Sequence, residues 1–115
     1  MHKKTYLKGE HMVKVFTRLP VKSEFLEEYA KHLSDVMGKF DIQNVKGCLG
    51  MDILYPKSIP QIGENNNFVI ETRWSDLDSF FSFTKSEQFQ KSHINSSTKD
   101  WFLSKPSVEI YQCEA

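Results

Sequence analysis

The chain has 115 residues with fifteen cationic and fifteen anionic side chains, so it lacks the basic surface that binding to nucleic acid phosphates requires. No apolar run approaches the ~20 residues of a membrane span, and the basic start MHKKTYLK is not followed by the apolar stretch of a secretory signal. We therefore expect a cytoplasmic protein that binds neither nucleic acid nor membrane, with Cys48 and Cys113 as reduced thiols.

The length fits one domain, which we expect over residues 11–115, after an N-terminal extension at residues 1–10. Alternating apolar residues predict a first strand over residues 11–19, and Pro20 should end it because proline gives no amide to a ladder. Ser23 is expected to cap the first helix. Its apolar stripe recurs every three or four residues, at Leu26, Tyr29, Leu33, Val36, Met37 and Phe40.

Two further strands are predicted at residues 48–55 and 68–74, with Leu49 and Met51 on one face of the former. The segment between them is rich in Pro, Gly and Asn and indicates a long, mobile hairpin loop. Ser75 is expected to cap a second helix, Ser86 to restart a short one, and residues 107–113 to form the last strand. The inner face of the second helix would carry Leu77, Phe80, Phe81 and Thr84.

The predicted order is strand, helix, strand, strand, helix, strand. This order is typical of an α+β ferredoxin-like fold, an antiparallel sheet with helices on one face. The other face would carry Val69, with Leu54 and Tyr111 as further candidates, and leaving it wet would expose an apolar patch. We therefore expect a homodimer in which two copies pack through this sheet face.

Two features could carry chemistry, and each has a structural alternative. His93 is either a solvated residue near a helix end or a heme ligand, metal ligand or general base. The aromatic residues from Trp74 to Phe89 are either ordinary core or the wall of a pocket for a flat aromatic ligand. The sequence contains no nucleophile elbow and no glycine-rich phosphate loop, so hydrolysis and nucleotide binding find no support.

The segments TRLPVK, GCLGMDIL and FVIETRWSDLDSFFSFTKSEQF, in this order and spacing, resemble the antibiotic biosynthesis monooxygenase family of dimeric α+β barrels. The resemblance runs from about Met12 onward. It implies a monooxygenase with a pocket between the sheet and the second helix. Under it, Trp74, Phe83 and Thr17 would line the cavity.

The register is similar to that of the heme-degrading branch of this family. That branch places a strand-end tryptophan, two helical phenylalanines, a serine and a heme-ligating histidine at positions that here hold Trp74, Phe80, Phe89, Ser86 and His93. The resemblance implies that His93 is the axial heme ligand and that Phe80, Phe83 and Phe89 surround the cofactor. Two hallmarks differ. Phe83 replaces the helical tryptophan, and Thr17, or Phe16 in the alternative register, replaces a first-strand asparagine.

A second branch oxidises polyketide-type phenols to quinones without metal or flavin. Resemblance to it implies no cofactor, with Trp74 as a hydrogen-bond donor and Thr17 and His93 nearby. A third possibility is a dimer that binds a small ligand without catalysis. The sequence leaves these three functions open.

Overall fold

The computed structural model describes residues 12–92 and 100–113. It contains four strands and three helices, with single 3-10 turns at Ser23–Phe25 and Ile42–Asn44. His93 and the expected extension at residues 1–10 lie outside the described residues. The elements are β1 (Val13–Pro20), α1 (Leu26–Gly38), β2 (Cys48–Leu54), β3 (Asn67–Trp74), α2 (Leu77–Thr84), α3 (Glu87–Ser92) and β4 (Ser107–Gln112).

The four strands form one antiparallel sheet in the order β2-β3-β1-β4. This is the ferredoxin-like arrangement, so the predicted α+β fold is confirmed. The central pair β1–β3 runs from Val13 opposite Trp74 to Pro20 opposite Asn67. Because strand side chains alternate between faces, Val13, Val15, Thr17 and Leu19 all lie on the face that the helices cover.

A bulge in β2 corrects the predicted face of that strand. Cys48 pairs with Trp74, but Gly50 pairs with Arg73, so one residue is inserted between them. The inserted Leu49 is exposed, whereas Met51 lies opposite Thr72 on the helix side. The strict alternation that placed Leu49 beside Met51 was therefore wrong.

Two predicted caps are also wrong. Ser23 begins a 3-10 turn rather than capping α1, and its hydroxyl accepts a hydrogen bond from the Asn66 side chain. Asp76, not Ser75, caps α2, since its carboxylate accepts from the backbone N–H of Ser79 at 2.8 Å. That hydrogen bond lowers the pKa of Asp76 because it favours the ionised carboxylate.

The segment between β2 and β3, predicted to be a mobile loop, contains local structure. Ile59 and Gly63 form an isolated bridge, and the Ser58 hydroxyl accepts from the backbone N–H of Asn65 at 2.9 Å. The Asn66 amide donates to the Val21 carbonyl at 2.8 Å. The Asn66 bond ties the β3 end of the segment to Val21, whereas the other two contacts lie within the segment.

The buried residues form two clusters on the helix side of the sheet. The cluster under α1, here called the α1 cluster, comprises Leu19, Val21, Tyr29, Leu33, Met37, Phe68 and Ile70. The cluster under α2, here called the α2 cluster, comprises Val13, Val15, Trp74 and Phe83. Phe40, which follows α1, packs against both clusters and therefore joins them.

The helix-free face of the sheet combines apolar and charged side chains. Val69, Leu54 and Tyr111 lie on this face, as the sequence predicted, together with Phe16. Between them run ion pairs that join Lys14 to Glu71 (3.7 Å), Arg73 to Glu71 (3.5 Å), Arg73 to Asp52 (3.1 Å) and Arg18 to Glu109 (3.2 Å). The hydrogen bond with Asp52 raises the pKa of Arg73. This face is therefore more polar than the sequence indicated.

Among residues 12–92 and 100–113, no helix is long and apolar enough to cross a bilayer.

Candidate functional site

A cavity of about 130 Å³ lies on the helix side of the sheet, between the strands and α2–α3. Aromatic, aliphatic and thioether side chains make most of its wall. The lining residues are Thr17, Met37, Phe40, Ile42, Met51, Ile70, Thr72, Phe80, Phe83, Thr84, Phe89 and Val108. None of these twelve side chains carries a charge, so the cavity is an apolar chamber with three hydroxyl groups.

The floor of the cavity comes from the sheet. Thr17 lies opposite Ile70 across the β1–β3 ladder, and Thr72 lies two residues further along β3. The two threonines are therefore diagonal neighbours on adjacent strands of one face. Their positions follow from the strand register alone.

The roof of the cavity comes from the corner between α2 and α3. The Ser86 hydroxyl donates to the Phe83 carbonyl at 2.6 Å and accepts from the backbone N–H of Phe89 at 3.2 Å. Ser86 therefore caps α3 and restarts the helical path after α2, as predicted. The Phe83 and Phe89 rings meet edge to face, with centroids 5.4 Å apart. One serine thus fixes two of the rings that cover the chamber.

Trp74 lies behind the cavity wall rather than in the lining. Its side chain is completely buried, and its ring packs against Phe80 and Phe83 at centroid distances of 5.7 and 5.4 Å. The indole N–H donates to Thr72 Oγ1 at 2.8 Å. The N–H group that the sequence offered to a ligand is therefore already engaged by a residue of the lining.

The predicted site residues are only partly brought together. Thr17, Phe80, Phe83 and Phe89 line the cavity as expected. Phe81, predicted to face inward, is 44% exposed, and Phe83 is the buried ring of α2. The prediction for His93 as a ligand or base falls outside the described residues.

Sequence reasoning missed several lining residues, above all Thr72. A signal was present, because alternation placed a polar residue between Ile70 and Trp74 on an apolar face. Met37 and Phe40 were assigned to the first helix stripe, but nothing in the sequence brought them to the second helix. Val108, half exposed on β4, reaches the cavity only through the pairing of β4 with β1.

Heme does not fit this cavity as it stands. The volume of the cavity is well below the roughly 300–1,000 Å³ of pockets for drug-sized ligands. Among the described residues, those that line the cavity offer no imidazole or thiolate for iron and no cation for carboxylate groups. No cluster of three or more His, Cys, Asp or Glu in the described part of the chain could hold a metal ion.

Comparisons with known proteins agree with this fold. The candidate antibiotic biosynthesis monooxygenase of Caulobacter crescentus CB15 superposes with a TM-score of 0.70 at 17% identity, covering 95% of each chain. The candidate of the same type from Nitrosomonas europaea gives 0.67 at 14% identity, covering 98% of this chain and 95% of that one. A conserved protein of Methanosarcina mazei Go1 superposes with a TM-score of 0.66 at 14% identity, covering 95% of this chain and 99% of that one. At these identities the likeness shows the fold alone.

No curated protein sequence matches the chain. One family model does match, over residues 12–94, and it describes antibiotic biosynthesis monooxygenases. This match includes all three described helices, three of the four described strands and every lining residue except Val108. The chain therefore belongs to the antibiotic biosynthesis monooxygenase family.

Proposed function

We propose that this protein is a monooxygenase that oxidises a small, neutral, electron-rich aromatic compound in the cavity between the sheet and α2. The observation that carries the proposal is the cavity itself, about 130 Å³ in volume and walled by four phenyl rings, with no charged side chain among its described lining residues. An apolar protein cavity of roughly 150 Å³ is known to bind benzene. The volume therefore suits one aromatic ring, with any further part of the substrate at the mouth.

The lining selects against charged molecules. An ion brought into the chamber would lose its hydration and, among the described lining side chains, would meet only three hydroxyl groups, at a cost of several kcal/mol. A neutral ring instead gains edge-to-face contacts with Phe80, Phe83 and Phe89. Electron-rich phenols meet both requirements.

The reaction needs no group other than substrate and oxygen. A phenol and O₂ give a quinone and water, with one oxygen atom in each product, and the ring supplies the electrons. The protein would bind the ring, orient it and exclude bulk water. No step of this reaction passes through heme.

The test measures oxygen uptake by metal-stripped protein with 3,5-dimethoxyphenol and ¹⁸O₂. We expect faster uptake than in buffer, with one labelled oxygen in the quinone. Phe83→Trp should abolish the difference by filling the cavity, whereas Phe81→Trp makes the same change on the exposed side of α2 and should leave it intact. Uptake equal to that of buffer would contradict the proposal.

Phe83→Trp also separates the two enzymatic readings. It restores the tryptophan found in the heme-degrading branch, so a heme enzyme should gain activity from the change that blocks phenol oxidation. A Soret shift on heme titration that His93→Ala abolishes would favour the heme reading. Circular dichroism must show that each variant is folded, since overpacking costs about 1–3 kcal/mol.

A non-catalytic ligand-binding protein is the second candidate function. One observation favours it, namely that no titratable side chain is present among the twelve residues that line the cavity. This reading predicts that aromatic compounds raise the melting temperature through binding linkage, without oxygen uptake or product. Labelled quinone in the preceding experiment would exclude it.

We also propose that a second copy of the chain covers the helix-free face. Val69, Leu54, Tyr111 and Phe16 give that face an apolar component, and its three cations and three anions balance. A neutral face with alternating charges can complement itself across a two-fold axis. Sedimentation should give twice the chain mass, and Val69→Glu should halve it. A stable monomer at micromolar concentration would contradict this pairing.

A further inference from the structure

We infer that Thr72, held in place by Trp74, orients the substrate, and that the substrate therefore presents an oxygen acceptor, carbonyl or phenolic, to the Thr72 hydroxyl. This inference rests on the proposed function because it assumes that the chamber takes an aromatic ring. It adds a positioning pair that the family resemblance does not assign, and it narrows the substrate to oxygenated rings.

The Thr72 hydroxyl keeps its proton free for a ligand. A threonine hydroxyl has one proton to donate and two sites that accept, whereas an indole nitrogen only donates. The Trp74 indole occupies one accepting site of Thr72 Oγ1 at 2.8 Å. Trp74 cannot take the proton in return, so that proton is available on a side chain that lines the cavity.

The Thr72 hydroxyl is also held in a fixed orientation. Trp74 is completely buried and packed between Phe80 and Phe83, so its N–H has a fixed direction. A fixed donor limits rotation of the Thr72 hydroxyl, whose proton then points away from the indole. Such preorganisation is what a residue that orients a ligand requires.

The other two hydroxyls of the described lining, those of Thr84 and Thr17, are less suited to orient a ligand. Thr84 donates to the Phe81 carbonyl at 2.7 Å, within its own helix, so its proton is already used. Thr17 lies diagonally across the floor from Thr72 and can contact the same ring from a second position. No buried indole fixes the hydroxyl of Thr17. Thr72 is therefore the anchored donor of the three.

The test compares binding of 4-methylphenol and p-xylene, two rings of the same shape, by calorimetry without oxygen. Thr72→Val keeps the shape of the side chain but removes its hydroxyl. We expect it to weaken the binding of 4-methylphenol about 10-fold and to leave the binding of p-xylene unchanged. Thr72→Ser should restore most of the affinity. Thr84→Val should have a much smaller effect than Thr72→Val, because the Thr84 proton is already used.

Trp74→Phe tests the positioning role, since it keeps a buried ring but removes the N–H. It should weaken 4-methylphenol when Thr72 is present and have no further effect in the Thr72→Val background. Additive effects of the two changes would overturn the link between Trp74 and Thr72. The Thr72 variants give their answer even where Trp74→Phe fails to fold.

The outcomes separate this inference from the proposed function. If both probes bind and Thr72→Val changes neither, or weakens both equally, the anchor is overturned while the ring-binding chamber stands. If neither probe binds the unaltered protein, the chamber does not take a ring, and both proposals fall.

Discussion

The two ends of one sheet face are covered in different ways. The α1 cluster has a solid centre, in which Leu19, Val21, Tyr29, Leu33 and Phe68 are each at most 1% exposed. The cavity lies beside this centre and is bordered by Met37 and Ile70 at the edge of the α1 cluster and by Phe83 of the α2 cluster, which remains 8% exposed. Both ends use aromatic rings on the same strands. The difference shows that aromatic content alone does not decide whether a region becomes core or chamber.

The covering elements explain the difference. The α1 helix has 13 residues and places Tyr29, Leu33 and Met37 in one buried stripe. Trp101 and Phe102 close the gap beside it, with both rings edge-on to Tyr29. At the other end, the cover is broken at Ser86 into helices of eight and six residues. A corner between short helices leaves a space that a continuous helix would fill.

The largest expected effects come from deleting rings in the two clusters. Phe68→Ala and Trp74→Ala should each lower the free energy of unfolding by about 3–5 kcal/mol, because both rings are fully enclosed. Phe83→Ala should cost less than Phe68→Ala, since one side of its ring already faces empty space. Urea unfolding measures all three. Ile62→Ala, on an 83% exposed side chain, is the control and should stay within about 0.5 kcal/mol.

Equal losses for Phe68→Ala and Phe83→Ala would indicate that the α2 cluster is as solid as the α1 cluster. The cavity would then be closed in solution, and the comparison between the two ends would fail.

The next effect concerns the loop that positions α2. Gly47 has a φ of +81°, and a Cβ there would lie 2.2 Å from the Ser79 hydroxyl oxygen and 2.4 Å from its Cβ. Gly47→Ala should therefore cost about 1–3 kcal/mol from backbone strain, and more from displacement of α2. Gly63→Ala is the matched control, since Gly63 has a φ of +112° but open space around it. Equal losses would mean that Ser79 moves freely and α2 is not held there.

Adding volume should then distinguish the two ends. Val21→Leu inserts a methylene into the solid α1 cluster, where Val21 is completely buried, and should cost about 1–3 kcal/mol. Thr17→Ile instead extends a side chain into the cavity. The free energy of unfolding of this variant should change by less than about 0.5 kcal/mol, while its affinity for an aromatic ligand falls. Thermal unfolding and calorimetry check the pair. A large loss from Thr17→Ile would argue against free volume at that position.

The smallest expected effect concerns two buried polar atoms of α1. The Tyr29 hydroxyl and His32 Nε2 are buried without a hydrogen-bond partner in the described part of the chain, and burial raises the Tyr29 pKa from 10.0 to about 12. Between pH 10.0 and about 12, the unfolded chain loses the phenolic proton of Tyr29, whereas the folded chain keeps it. Stability should therefore fall as pH rises through this window, by up to about 1.4 kcal/mol per pH unit.

Tyr29→Phe removes the titrating group and should remove that part of the alkaline loss. Because it also removes an unpaired hydroxyl, it should be neutral or stabilising near neutral pH. Urea unfolding at pH 8 and at pH 11 measures both expectations. The same alkaline slope in both proteins would mean that Tyr29 ionises freely in the folded state.

Much of the fold could be predicted from residue patterns. Alternation in β1 and β3, the stripe of α1 and the Ser86 restart all hold in the structure, because each depends on neighbours within a few residues. The failures are also local in origin. The β2 bulge and the Asp76 cap each depend on a choice between adjacent residues that periodicity cannot make.

The sequence alone determined the element order, the face that each central strand gives to the core, and the rings of the second helix region, since these follow from periodicity and chain order. The tertiary structure decided that Phe83 rather than Phe81 turns inward, that Met37 at the end of α1 and Phe40 just after it reach the cavity, and that the Trp74 N–H is engaged by Thr72. A chamber depends on how short helices meet a twisted sheet. That geometry is set by packing between distant residues, which spacing along the chain does not record.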